Sequence, residues 1–427
     1  MATVHIVGGG LSGLSAAVRA ARSGVNVVLY EAAGHAGGRC RSFQDDGLGC
    51  LIDNGNHMLL GGNHGTKTYL AEIDVADAIT EIAPAAFPFI DLATGERWRL
   101  QPGSGLLPIW LLDPDRRVPG APLVDYLGFA RLARASASAT VAECVGTTSP
   151  LYERLWQPIC RAVLNTDASE GSARLVWRVI CETFVKGEAA CRPLFFHRGL
   201  SPALVDPAIR TLDARGCEVR LKARVRGLSW RDGRVTTLRF AEGLLRLASG
   251  DCVILAVPPE ATKELWPEIE VPQETRAIVN AHYRVDERVA LPWGLPILGL
   301  LGGDAQWVFA RDSLLSVTIS AADRLIDRPA WELANQLWSE VARALQRNVG
   351  RLPPWRIIKE RRATIAQTPA EVARRPKAET ALENLFVAGD WTDTGLPATI
   401  EGSIRSGVHA AELARARIAA APARKAG

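Results

Sequence analysis

The sequence predicts an α/β fold with two domains, the first assembled from segments far apart in the chain. Three observations predict it. A β-branched run at residues 3–7 opens on Gly8, Gly10 and Gly13 and then on an alanine-rich helix. A second short apolar run, residues 25–30, follows Gly24 and ends at Glu31. Near the other end of the chain, a third such run, residues 384–388, delivers Gly389 and Asp390.

Strand, glycine turn, helix is the order a dinucleotide site needs. Gly8 permits the tight turn. Gly10 lets the backbone approach a pyrophosphate. Gly13 lets the helix pack closely on the strand. The helix start, at Leu11 and Ser12, offers unpaired N–H groups and a positive dipole end to phosphates. Glu31, with Ala32 beside it, can accept hydrogen bonds from a ribose, and its charge disfavours a 2′-phosphate. Gly37-Gly38-Arg39 then suits a backbone held against a phosphate with a guanidinium nearby.

The bulk composition bounds the rest. A chain of 427 residues exceeds one ordinary core, so two domains are expected. A net charge of +4 is too small for this length to argue for nucleic acid. The first strand starts at Thr3, which leaves no room for a signal peptide and sets the cytoplasm as the expectation. The eight cysteines are scattered without CxxC or Cys/His metal spacing, so reduced thiols and no metal are expected. Apolar runs at 105–112 and 291–301 are too short to span a membrane. They suit the core of the second domain, or else a lipid-facing rim or the wall of an apolar tunnel.

Residues 66 to about 190 read as mainly helical, as at 123–135, 151–163 and 174–180. The pattern changes near residue 198. A helix at 207–214 is stopped by Gly216. Strand-like runs follow at 217–221, 223–230 and 235–240, with Asp232-Gly233 as a hairpin signal. A buried strand at 251–257 ends at two prolines and returns the chain to the first domain. Beyond it come an alternating strand at 314–319 and a helix at about 329–347. The expected division is therefore 1–65, 192–258 and 380–427 for nucleotide binding, with 66–191 and 259–379 for substrate. The alanine-rich, basic tail beyond 410 reads as a solvated helix end.

A second cofactor block near residue 390 is more than an ordinary NAD enzyme requires. FAD is longer, and its ribityl chain needs a polar anchor, for which Asp390 is placed. A final helix opening through Ala398, Thr399 and Ile400 can direct its dipole at the N1–C2 edge of a reduced flavin. The first domain is thus expected to be a Rossmann-like FAD-binding domain of the glutathione-reductase type, discontinuous in sequence, beside an α+β substrate-binding domain.

Taken together, Gly8-x-Gly10-x-x-Gly13, Gly37-Gly38-Arg39 and Ala388-Gly389-Asp390 resemble the FAD-dependent amine oxidase and phytoene desaturase superfamily. The resemblance covers nearly the whole chain. It implies a valine whose backbone contacts adenine, matched best by Val225. Within the superfamily the chain is most similar to hydroxysqualene dehydroxylases, through Asp53-Asn54-Gly55-Asn56-His57, Leu155-Trp156-Gln157-Pro158 with Leu164-Asn165-Thr166, and residues 389–402. Asn56 departs from the glutamine of many members. This resemblance implies reductive removal of a hydroxyl from a long isoprenoid alcohol, giving squalene for hopanoid synthesis, with an unknown electron donor and peripheral membrane contact. Such chemistry needs a proton donor and a dry site. His57 is the candidate donor, or else a histidine bonded to nearby backbone. Asp53 would orient it or cap the turn. Trp391 would line a substrate tunnel or pack in the core. A carotenoid-type desaturase, an amine oxidase and a flavin-bearing lipid scaffold stay open as alternatives.

Overall fold

The computed structural model describes residues 2–104, 108–347 and 350–420. Gly105, Leu106 and Leu107 of the first apolar run, and the end of the basic tail, lie outside them. Five parallel strands form the nucleotide sheet: β1 (Thr3–Val7), β2 (Asn26–Tyr30), β3 (Glu218–Arg220), β4 (Cys252–Leu255) and β5 (Leu385–Val387). Their order is β3-β2-β1-β4-β5. The chain winds outward from β1 to β3 and then restarts on the other side of β1. That reversal opens a crevice at the carboxyl ends of β1 and β4, where such sheets take ligands.

Three helices cover one face: α1 (Leu11–Arg22), α2 (Asp206–Ala214) and α3 (Ile400–Ala420). α1 and α3 approach closely because Gly407 has no side chain. A Cβ there would stand 2.0 Å from the Ser12 carbonyl oxygen. The other face carries the antiparallel meander Gly227–Arg231, Arg234–Arg239 and Leu244–Arg246, whose Val235 and Leu238 pack on Val253 and Leu255. Asn384 ties these layers together. Its buried amide bonds the Val235 N–H and carbonyl and the Asp251 carbonyl.

The second domain centres on a seven-stranded sheet. From one edge it runs Trp355–Ile365, Thr275–Arg284, Leu314–Ile319, Trp307–Arg311, Ile297–Leu301, Phe87–Asp91 and Arg97–Leu100. The helix Ala330–Ala344 buries one face through Leu333, Leu337 and Val341 against Val279, Ala281 and Val317. Among the described residues of 66–190 the regular structure is mostly helical, as expected, but Phe87–Asp91 and Arg97–Leu100 within them complete this sheet, Phe87–Asp91 pairing in parallel with Ile297–Leu301. One boundary needs correction. The boundary at 65/66 falls inside the helix His64–Glu72, which stays with the nucleotide core through Tyr69 and Leu70. The Glu401 carboxylate caps that helix, accepting from the Gly65 and Thr66 N–H groups.

The strand part of the 291–301 run, Ile297–Leu301, is core, whereas Trp293 ahead of it is exposed. Leu298 and Leu300 are buried against the helix Ala330–Ala344, and Ile297 is buried on the opposite face. Among the described residues no helix is long and apolar enough to cross a membrane.

Candidate active site

The β1 turn is built as its glycines require. A Cβ on Gly13 would stand 1.9 Å from the Gly8 carbonyl oxygen, so α1 can sit this close to β1 only with glycine there. Gly8 takes φ +107° and lies against the Ala256 carbonyl just beyond β4, in the crevice. Around Gly10, by contrast, no atom lies within 4 Å of a Cβ position. α1 begins there with no side-chain cap, leaving the Leu11 and Ser12 end without a side-chain acceptor. The Gly37–Gly38 loop folds over this strip, with the Gly37 N–H on the Gly9 carbonyl at 2.8 Å. An open strip of backbone, a bare helix start and a glycine cover fit a diphosphate.

Glu31 ends β2 and accepts from the Gly9 and Ala33 N–H groups, both at 2.7 Å. Each oxygen keeps a second lone pair for a ribose hydroxyl. Ala32 beside it is exposed. Val225 follows β3 in a loop whose Ala223 N–H bonds the Glu31 carbonyl at 2.8 Å, so it lies near the same end of the sheet.

The two ends of the chain meet at one ion pair. Arg39 Nη2 lies 2.6 Å from Asp390 Oδ1, and Arg39 also bonds the Ala363 carbonyl. The Asp390 carboxylate raises the Arg39 pKa more than burial lowers it. A Cβ on Gly389 would lie 2.3 Å from Trp391 Nε1, so the strand end is closed around that indole. Asp390 itself is held by Arg375, which sequence reasoning missed. This buried guanidinium donates to the carbonyls of Leu396 at 2.7 Å, Asp390 at 3.0 Å and Thr392. Further on, the Ala398 N–H is taken by Gln367 Oε1 at 2.8 Å. Thr399 Oγ1 caps α3 by accepting from the Gly402 N–H. The first N–H groups of α3, from Ile400 onward, thus follow directly on the Asp390 loop.

His57 and Arg39 both keep accessible surface. Both are nonetheless enclosed enough for burial to oppose their charge. The His57 Nδ1 lies 2.9 Å from the Gly55 carbonyl, which can only accept, so Nδ1 carries the proton and Nε2 is left unbonded. Burial lowers the His57 pKa, and the Gly55 bond offsets this only in part.

Two expected roles do not fit. Asp53 does not orient His57. Its carboxylate is spent on Ser42 Oγ, the Leu200 N–H at 2.9 Å and Arg311 Nη1 at 3.0 Å, so it braces the two domains instead. Trp391 does not line a tunnel. It is 2% exposed, its Nε1–H bonds the Val257 carbonyl at 3.0 Å, and its ring packs with the core between the sheet and the meander.

A diphosphate cradle, a glutamate placed for a ribose and a C-terminal aspartate paired with Arg39 define an FAD-dependent oxidoreductase. Residues 11–414 match the model of the family described as flavin containing amine oxidoreductase. Hydroxysqualene dehydroxylase of Rhodopseudomonas palustris is 48% identical over 413 residues, covering 96% of this chain and 98% of the relative. The protein of that name in Zymomonas mobilis is 42% identical, over 97% and 99% of the two chains. The structure of cyclohexylamine oxidase from Brevibacterium oxydans superposes with a TM-score of 0.69 at 17% identity, covering 97% of this chain and 99% of that one, and shows the shared fold. This chain belongs to the flavin-containing amine oxidoreductase family, and it binds FAD.

Proposed function

We propose that this enzyme reductively removes the hydroxyl of hydroxysqualene to give squalene, a step in hopanoid synthesis. The reading draws on the near full-length likeness to relatives named hydroxysqualene dehydroxylase. Within the site, the observation that carries it is His57, an accessible titratable group beside the cofactor loops with one nitrogen unspent. The balance is R–OH plus a proton plus a hydride, giving R–H and water. Bound FAD, when reduced, supplies the hydride.

The chain's own residues do the rest. Gly10 and the start of α1 hold the diphosphate, Glu31 a ribose, Asp390 the ribityl chain, and the start of α3 faces the ring system. His57 loads a proton on Nε2 and passes it to the departing hydroxyl. The burial that lowers its pKa also makes its imidazolium a stronger acid than in water. The allylic cation that forms must be kept from bulk water. Turnover should therefore fall as pH rises through the lowered His57 pKa.

An oily substrate also needs a route from a membrane. Ile109, Leu112, Leu123, Val124 and Leu127 are all exposed. They lie on short turns whose Trp110 and Tyr126 are buried in one shared cluster. We assign this rim to peripheral contact with a lipid surface. Flotation with anionic vesicles, lost on Leu112→Ser with Val124→Ser, checks the assignment.

The main test is anaerobic. Reduced enzyme mixed with hydroxysqualene should be reoxidised and release squalene. Bleaching of the oxidised enzyme by a polyene precursor would instead favour a desaturase. His57→Gln should keep its FAD and lose about 100-fold or more in turnover. Unchanged turnover removes the proton-donor role.

A further inference from the structure

We propose that the Asn56 side-chain carbonyl is the acceptor that holds the substrate hydroxyl, with Thr318 and Asn280 as the positioning residues that fix its direction. The inference rests on the dehydroxylation reading above and deepens it.

Asn280 and Thr318 are cross-strand partners in the seven-stranded sheet. Their neighbours Val279, Ala281, Val317 and Ile319 pack toward the helix Ala330–Ala344, so Asn280 and Thr318 lie on the opposite face. There they form a one-way relay. The Asn54 carbonyl can only accept, and Asn280 Nδ2 donates to it at 3.2 Å. Asn280 Oδ1 therefore faces Thr318, whose only hydroxyl proton it accepts at 2.8 Å. The Thr318 oxygen has no proton left and accepts from Asn56 Nδ2 at 3.0 Å. Flipping the Asn56 amide would set two acceptors against each other. Its Oδ1 is therefore turned away from the sheet.

Among the described residues Asn56 Oδ1 accepts no hydrogen bond, and Asn56 is only half-buried. The His57 ring and the Asn280 amide both lie beside Gly55, the residue before Asn56. A Cβ at Gly55 would stand 3.3 Å from Asn280 Nδ2 and 3.4 Å from His57 Cε1. A hydroxyl that donates to Asn56 turns an oxygen lone pair outward, ready for the proton of His57. The acceptor is neutral, so no carboxylate has to be desolvated to bind the alcohol. The hydrocarbon product makes no such bond and is held less tightly.

The test measures dissociation constants of the FAD-loaded, oxidised enzyme in detergent, where no hydride is available for turnover. Hydroxysqualene and squalene are compared across wild type, Asn56→Leu, Thr318→Val and Thr318→Ser. Asn56→Leu and Thr318→Val should each weaken the alcohol about tenfold. Squalene should stay within about twofold. Thr318→Ser should restore the alcohol. Matched FAD content and melting temperature show that the variants fold. Equal loss of both ligands, or no loss of the alcohol in Thr318→Val and Asn56→Leu, overturns the inference. Reduced wild type that does not convert hydroxysqualene instead overturns the reading beneath it, and this inference with it.

Discussion

Gly10 and Gly13 sit three residues apart in one turn, and their surroundings demand opposite outcomes when each becomes alanine. At Gly13 the new methyl meets the Gly8 carbonyl at 1.9 Å, where 3.0 Å is the floor for real contacts. α1 must retreat by about 1.1 Å, the difference between those two distances. Overpacking of this kind costs about 1–3 kcal/mol, and a rigid backbone oxygen places it at the upper end. Alanine's better helix propensity returns up to about 1 kcal/mol. The net loss is about 2 kcal/mol of apo-protein stability. At Gly10 the methyl meets nothing, and φ −72° with ψ −179° suits any residue. A worse N-cap costs up to about 1 kcal/mol, and a stiffer unfolded chain returns about as much. Apo-protein stability should stay within about 0.5 kcal/mol. The methyl does occupy the space left for the diphosphate, however. Losing one charged backbone contact there, about 1.5–3 kcal/mol, weakens FAD by about 10- to 150-fold. Urea unfolding of the apo-proteins and FAD titration read the two quantities separately. The reasoning fails if Gly10→Ala binds FAD like wild type, or if the two apo-proteins are equally stable.

Three other outcomes follow from buried groups. Burial pushes the His282 pKa from 6.5 down to about 4, with its Nδ1 on Ser316 Oγ at 2.7 Å. Between those values the unfolded chain binds a proton that the folded chain refuses. Stability is therefore complete above pH 6.5 and falls by about 3 kcal/mol as pH drops toward 4. Urea midpoints at neutral and acid pH should show a shallower slope for His282→Gln, and equal slopes would count against this. Arg375→Met leaves three buried carbonyls without their donor. It should cost about 3–5 kcal/mol and loosen FAD, because the Asp390 loop loses its brace; unchanged FAD affinity would refute that role. Trp391→Phe strips the Val257 carbonyl of its partner, so stability should drop by about 1–3 kcal/mol. The substrate KM should not move, and a shifted KM with unchanged melting would return the indole to the substrate site.

What could be read from the sequence was what the backbone demands locally. A glycine that must admit a neighbouring carbonyl, as at Gly8 and Gly13, is visible as a glycine between a strand and a helix. Gly37-Gly38-Arg39 and Gly389-Asp390 were legible for the same reason, and the structure brings them together at the Arg39–Asp390 pair. What stayed hidden depends on partners far along the chain. Phe87–Asp91 and Arg97–Leu100 form a local hairpin, but the sheet they join begins at the distant Ile297–Leu301. Trp391 could face core or substrate tunnel until the Val257 carbonyl decided it. Asp53 sits four residues before His57, which invited a pairing, yet Arg311 and Leu200 claim its oxygens. Arg375 lies in an ordinary polar stretch, and nothing nearby marks the three carbonyls it serves. The strand alternation at 87–100 and the turn at Gly95 were the overlooked signals for the second sheet.

Because β5 and α3 come from the last part of the chain, synthesis on a ribosome leaves the nucleotide sheet one strand short until nearly every residue has emerged. β1, β2 and β3 can pair early with α2 beside α1, but Arg39 then has no carboxylate to meet and α1 still lacks α3. Holding a flavin thus certifies that the chain has been made through α3. Chains cut short before residue 385 should emerge colourless, whatever else they manage to fold.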